Sequence, residues 1–178
     1  MPFPPAPPPV PPDPAVPAEL HHRLCVGVVV CYVGDPAEGE RLVAPIRAFK
    51  PDLDAVGPVP YADFNGSLDD PPGYRNYGTA EYVRAFDDRA VDVFIDHARR
   101  LPHGTRTASF IVPAGGAVKR VGENDTPLTS RSATWHLHPF GIWKDSSQDA
   151  ECIAWARGIR AAFRSEEHTS ELQSLAYL

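Results

Sequence analysis

The sequence predicts an α+β fold, a mostly antiparallel sheet with helices covering one face. Three observations predict it. Between Ser109 and Trp143 two runs rich in β-branched and aromatic residues, Phe110-Ile111-Val112 and Ala133 to Trp143, are bounded by Gly, Pro, Asn and Asp. They read as two strands joined by a long loop. Asp87 or Asp88 is placed to cap a helix through Arg100, with Val91, Phe94, Ile95 and Ala98 as its buried stripe. A last helix follows the acidic cap Asp145-Ser146-Ser147-Gln148-Asp149, with Ile153, Ala156 and Ile159 or Arg160 setting its spacing and Trp155 and Phe163 adding bulk. That helix should cover one face of the sheet.

In chain order, residues 1 to 17 hold ten prolines, too many for a helix or a central strand because proline lacks the amide donor and fixes φ. Residues 1–23 therefore read as a linker, disordered or polyproline II; service as a ligand for a proline-recognising domain is the other use of such a composition. Leu24 to Tyr32 is apolar on both faces and reads as a buried central strand. Asp35 should cap a helix with Pro36 at its first position, where a missing amide costs nothing. That helix should run to about Phe49 with Leu42, Ile46 and Phe49 on its apolar face and a bend or last turn at Pro45. Leu53 to Val59 then supplies a second strand and completes a β-α-β unit. Tyr61 to Asp70 should be a helical turn and loop, and Tyr74 to Tyr82 a strand and its exit.

The second central strand carries the chemistry. Alternate side chains point to opposite sides, so Trp135, Leu137 and Pro139 share one face and His136, His138 and Phe140 the other. Apolar groups on one side and imidazoles on the other can floor a pocket. The two histidines read equally as a polar sheet face or as buried hydrogen-bonding groups. Zinc would need a third and fourth ligand, which no nearby Cys or His supplies at a familiar spacing. Gly115-Gly116 is not expected to open a helix, so dinucleotide-binding logic fails there. No Gly-x-Ser-x-Gly marks a hydrolase. His97, alone on its helix flank, reads as packed or solvated.

A strand ending in Gly115-Gly116-Ala117, a Thr126-Pro127 and Arg131 in the connection, a strand ending at Trp143, and Trp155-Ala156-Arg157 on a helix together resemble the substrate domain of FAD-linked oxidases of the berberine-bridge type, over roughly Pro4 to Phe163. The resemblance implies a substrate domain over 24–163, a Pro-rich crossing from a preceding flavin domain that is missing here, and a small-molecule substrate. It implies an FAD-dependent oxidoreductase in which a C–H bond yields hydride to flavin, oxygen is the final acceptor, and the fragment alone is inactive and holds no FAD. His136 falls where plant-type members carry an acidic base, and a residue that titrates near neutrality can do that work. His138, on the same face, becomes a second lining residue. Val112 and Ala114 match pocket positions on the facing strand. Tyr77 and Gly78 match a strand that points toward substrate, Gly78 standing where many relatives have a bulky aromatic; Tyr74 and Tyr77 could instead cover the core. Residues 164–178 break the pattern. Arg164 to Ser174 look like the one-frame translation of a common sequencing-library adapter, and Leu175 to Leu178 depart from it.

Composition narrows the class. A chain of 178 residues, 43% hydrophobic and 22% charged, is long enough for one domain with a core. A net charge of −6 argues against nucleic acid, which calls for clustered Lys and Arg. No apolar run approaches the ~18 to 20 residues of a membrane span, and the start has neither basic nor apolar leader regions. Cys25 and Cys31 on one extended run would stand about 20 Å apart and cannot bridge. Three cysteines without a Cys-x-x-Cys pair suggest reduced thiols and a cytoplasmic protein. The reading from another class is a free-standing module that binds a small molecule without redox chemistry.

Overall fold

The computed structural model describes residues 16–21, 23–69, 72–128 and 130–175, with 165–175 described by backbone alone. Its elements are α1 (Pro36–Arg47), α2 (Tyr61–Gly66), β1 (Arg75–Gly78), β2 (Glu81–Val83), α3 (Asp88–Ala98), β3 (Ala108–Pro113), α4 (Ala117–Arg120), β4 (Trp135–Trp143) and α5 (Asp149–Leu175), with single 3-10 turns at Ala18–Leu20 and Ser146–Gln148. The α+β class holds: the sheet is antiparallel, and α3 and α5 lie on one of its sides. Most of the Pro-rich linker lies outside the described residues.

β4 is the centre of the sheet. β3 pairs along one edge from Ala108 opposite Phe140 to Pro113 opposite Trp135. Along the other edge β1 pairs Arg75 with Trp143 through Gly78 with Phe140, and β2 pairs Glu81 with Leu137 through Val83 with Trp135. The two registers are one register, so β1 and β2 are a single edge strand interrupted at Thr79-Ala80. Pro139 causes the interruption. The Thr79 amide donates to the Pro139 carbonyl at 3.1 Å, but proline has no amide to return to Thr79. A proline in a central strand is tolerated here because the neighbour on that side yields.

The odd-numbered residues of β4 face the helices. Leu137, Pro139 and Trp143 are buried there, and Val83, Ala90, Leu137, Ile159 and Phe163 form the core, with Phe86, Val93, Phe94, Ile111 and Trp135 packed on it. α5 contributes Cys152, Trp155, Ala156, Ile159 and Phe163, spaced three and four apart as an amphipathic helix requires. It lies close on the sheet because position 141 has no side chain: a β-carbon at Gly141 would stand 2.9 Å from the Trp143 ring and 3.3 Å from the Cys152 β-carbon. Polar ties hold its start. Asp149 accepts from the Trp143 indole at 2.7 Å and from two Arg75 nitrogens at 2.7 Å each. Arg160 and Arg164 both reach Glu81, and the Trp155 indole donates to the His97 carbonyl at 3.0 Å, joining α5 to α3.

The helix caps fall where the sequence places them. Asp35 accepts from the Ala37 and Glu38 amides at 2.9 and 3.2 Å, Asp87 from Ala90 at 3.0 Å, and Asp145 from Ser147 at 2.9 Å. The expected stripes are less faithful. On α3 the inward residues are Ala90, Val93 and Phe94, while Val91 and Ile95 are 38% and 40% exposed. On α1 the buried residue is Val43, and Phe49, beyond the helix end, is 89% exposed.

The β-α-β unit expected over 24–59 does not form. Leu24 to Tyr32 is unpaired and exposed, with Val26 91% open to solvent. Apolar composition on both faces reads as burial, yet a strand also needs partner amides and carbonyls, and both edges of β4 are already taken. Leu53 to Val59 is a loop drawn back onto α1: Arg47 donates to Asp54 at 2.6 Å and to the Val56 carbonyl at 2.8 Å, also pairs with Glu40, and Asp54 accepts the Val56 amide at 3.1 Å. Those bonds occupy groups that a ladder would use.

Candidate functional site

The face of the sheet turned away from the helices carries the predicted imidazoles. His136 and His138 project there with Phe140; the register adds Tyr82 opposite His136, Phe110 opposite His138 and Val112 opposite His136. The rings form one row. Tyr82 stacks on His136 at 5.0 Å and 14°, His136 on His138 at 5.9 Å and 8°, His138 meets Phe140 at 5.4 Å and 37°, and Phe140 stacks on Phe110 at 5.1 Å and 28°. Rings stacked on one another turn their edges, not their faces, toward whatever lies above the sheet.

The two imidazoles differ. His136 Nε2 is shut off from solvent without a hydrogen-bond partner among the described residues. His138 has no nitrogen closed in this way. Burial, and after it the charge of His136, hold His138 below the ordinary imidazole range, which keeps the ring neutral near pH 7. Gly78, opposite Phe140, borders His138: a β-carbon there would stand 3.3 Å from His138 Nε2. Ala114 continues the β3 edge, its amide donating to the Thr134 carbonyl at 2.7 Å.

Five of the six predicted site residues, His136, His138, Val112, Ala114 and Gly78, belong to this side of the sheet. Tyr77 does not. It pairs with Gly141 on the helix side, where Arg157 lies over its ring at 5.3 Å and donates to its hydroxyl at 3.0 Å. One residue of strand separates Tyr77 from Gly78, and one residue reverses the face. Tyr82 and Phe110 were missed. Their alternation was visible, but only the pairing register places both beside the histidines.

Arg131 organises the loop between β3 and β4. It is 9% exposed, donates to the Val118 carbonyl at 2.8 Å and to the Thr126 hydroxyl, and its own amide donates to Glu123 at 3.0 Å. Arg131→Ala is expected to cost about 1–3 kcal/mol by removing those bonds and the packed stem. The loop should then be cut faster by trypsin at Lys119 and Arg120, which peptide mapping checks.

Contrary to expectation, a helix does start at the Gly-Gly turn: Gly116, at φ 53°, precedes α4. It has four residues and offers no helix N-terminus of useful length. His97 packs as expected, its ring near Gly158. Cys25 and Cys31 are exposed and Cys152 buried, all three free. A recess of about 360 Å³ lies away from the histidines, among Val30, Tyr32, Val43, Val59, Tyr61 and Phe64. Its lining includes Glu40, which is already paired with Arg47. Among the described residues no helix is long and apolar enough to cross a membrane, and no cluster of three metal-ligating side chains occurs.

No protein-family profile and no curated protein sequence matches the chain. Solved structures do. GilR, an oxidoreductase that catalyzes the terminal step of gilvocarcin biosynthesis and was crystallized with pregilvocarcin, matches with a TM-score of 0.56 and 21% identity, over 73% of this chain and 29% of that one. The likeness is one of fold. CrmK, a flavoenzyme involved in shunt product recycling in caerulomycin biosynthesis, matches equally, at 0.56 and 21% over 74% and 29%. Aclacinomycin oxidoreductase matches at 0.47 and 21% over 68% and 26%. The chain spans under a third of the length of these proteins. It has an α+β body with a mostly antiparallel sheet packed against helices, resembling part of the GilR structure.

Proposed function

We propose that this chain is the substrate-binding portion of an FAD-dependent oxidoreductase and that the row of rings on β4 is the wall against which a small-molecule substrate lies. The observation that carries the reading is the side of the sheet away from the helices, where five rings, two of them imidazoles, stand in one row while the helices pack the other side. The fold likeness to GilR and CrmK supports it.

The described residues suit a flat ring system laid over the ring edges. They do not suit a dinucleotide pyrophosphate, because the Gly115-Gly116 turn leads only into the four residues of α4. The phosphate half of FAD is therefore assigned to the preceding flavin domain. When bound, the flavin supplies the hydride acceptor, with oxygen as the final oxidant. This chain's residues orient the substrate and handle a proton: Val112, Ala114 and Gly78 shape the wall, and the imidazole pair offers the base.

Genomic sequence upstream of Met1 tests the proposal. An open frame that runs in from a flavin-binding domain is the expected result. A ribosome-binding site directly before Met1, with no such frame, would sink it and favour a free-standing binding module.

A further inference from the structure

The proline-rich start of the chain has a period, and the recess beside α1 and α2 has a surface that suits it. A polyproline II helix turns once every three residues, so it carries Pro2, Pro5, Pro8, Pro11, Pro14 and Pro17 along one edge. Pro17, the member of this series among the described residues, stands at φ −50° and ψ 136°, close to that conformation. The recess offers three aromatic rings, Tyr32, Tyr61 and Phe64, together with Val30, Val43 and Val59. Tyr61 and Phe64 lie 6.4 Å apart at 34°. The Tyr32 ring rests against the bare backbone of Gly34 and Gly39, where added β-carbons would meet it at 2.7 and 3.0 Å. Tyr61 is 66% exposed and Tyr32 46%, so both rings are open to a partner.

We propose that residues 2–14 dock in this recess as a polyproline II helix, the chain recognising its own proline-rich segment. Grooves lined by aromatic side chains are the surfaces that take this helix, which is stiff before it binds and so loses little entropy. Proline offers carbonyls and no amide, and phenol hydroxyls are donors that match it. Charge agrees. No charged side chain occurs from Pro2 to Pro12, and among the described lining residues the only charged one, Glu40, is neutralised by Arg47. Reach agrees as well: the Val16 carbonyl accepts from the His21 ring at 2.9 Å, so residues 1–15 set out from beside His21. Val30 is nine residues further along the chain, at most about 32 Å away. Fifteen residues of polyproline II extend about 46 Å. The tether makes docking intramolecular, so a weak intrinsic affinity suffices. This inference stands apart from the substrate wall, which occupies a different part of the molecule.

The three free cysteines supply the test. Cys31 lines the recess, Cys25 is exposed outside its lining, and Cys152 is buried in the core. The full chain is alkylated with iodoacetamide, and the rate at each thiol is read by peptide mass mapping. Replacing the edge by Pro5→Gly, Pro8→Gly and Pro11→Gly together removes the stiffness and the ridge without adding charge. The rate at Cys31 should then rise roughly fivefold or more, as a tethered occupant leaves. Cys25 should keep its rate, and Cys152 should stay unmodified. Tyr61→Ala should also speed Cys31, and combining it with the three glycines should add nothing further, because both changes remove one contact.

An unchanged Cys31 rate in the glycine variant would overturn the docking. So would a rise matched at Cys25 or accompanied by modification of Cys152, or fully additive effects of Tyr61→Ala and the glycines. Docking within one chain does not depend on concentration. Protection of Cys31 that fades as the parent chain is diluted would assign the recess to the segment of a second copy and overturn the intramolecular arrangement.

Discussion

Phe163→Ala is expected to lower the unfolding free energy by about 3–5 kcal/mol, read as a fall in the urea midpoint followed by tryptophan fluorescence. Phe163 is 1% exposed, stacks on Phe86 at 5.8 Å and 18°, and closes the cluster made by Val83, Ala90, Leu137 and Ile159. Truncation to alanine removes a ring from a site bounded by β2, α3 and β4, elements that cannot all move inward to fill it. Removing residues 165–178 should do far less, since Phe163 is the last buried residue described on α5. The Arg164 pair with Glu81, which remains in that shortened chain, is worth about 0–1 kcal/mol because the arginine is 59% exposed. A shortened chain as unstable as Phe163→Ala would show that the segment resembling adapter translation supports the core after all.

Leu137→Ala should cost about 2–5 kcal/mol. Leu137 is 1% exposed and stands between Glu81 and Ile111 at the middle of β4. Backbone pairing on both edges survives the change, so His136 and His138 should keep their direction below the unfolding midpoint. Val112→Ala on the other side should stay within about 0.5 kcal/mol, because Val112 is 47% exposed. A Val112 effect as large as that of Leu137 would mean that the two faces of the sheet had been exchanged.

The strands that proved legible were those whose alternation is strong and whose ends are marked by turn residues. β3 and β4 appear within a residue or two of the expected bounds. The caps Asp35, Asp87 and Asp145 were legible because an Asp side chain satisfies an amide two or three residues ahead, a local act that needs no knowledge of the fold. Leu24 to Tyr32 and Leu53 to Val59 misled because they have strand composition without strand partners. The helical stripes were off by about one position on α3. Apolar residues there occupy more than one arc, and which arc turns inward depends on where Trp155 and Phe163 of α5 lie.

The candidate site divides in the same way. Period-two alternation alone put His136 and His138 opposite Trp135 and Leu137, because the geometry of a single strand leaves no other choice. What each imidazole touches was decided by tertiary structure: Tyr82 arrives on β2 to stack on His136, and Gly78 arrives on β1 beside His138 Nε2. Tyr77 was lost from the site for the related reason that its face depends on register with β4. Intra-strand geometry is written in consecutive residues, whereas pairing register and ring stacking join residues some 54 to 60 positions apart, as in Tyr82 with His136 and Gly78 with His138, and are settled only when the strands meet.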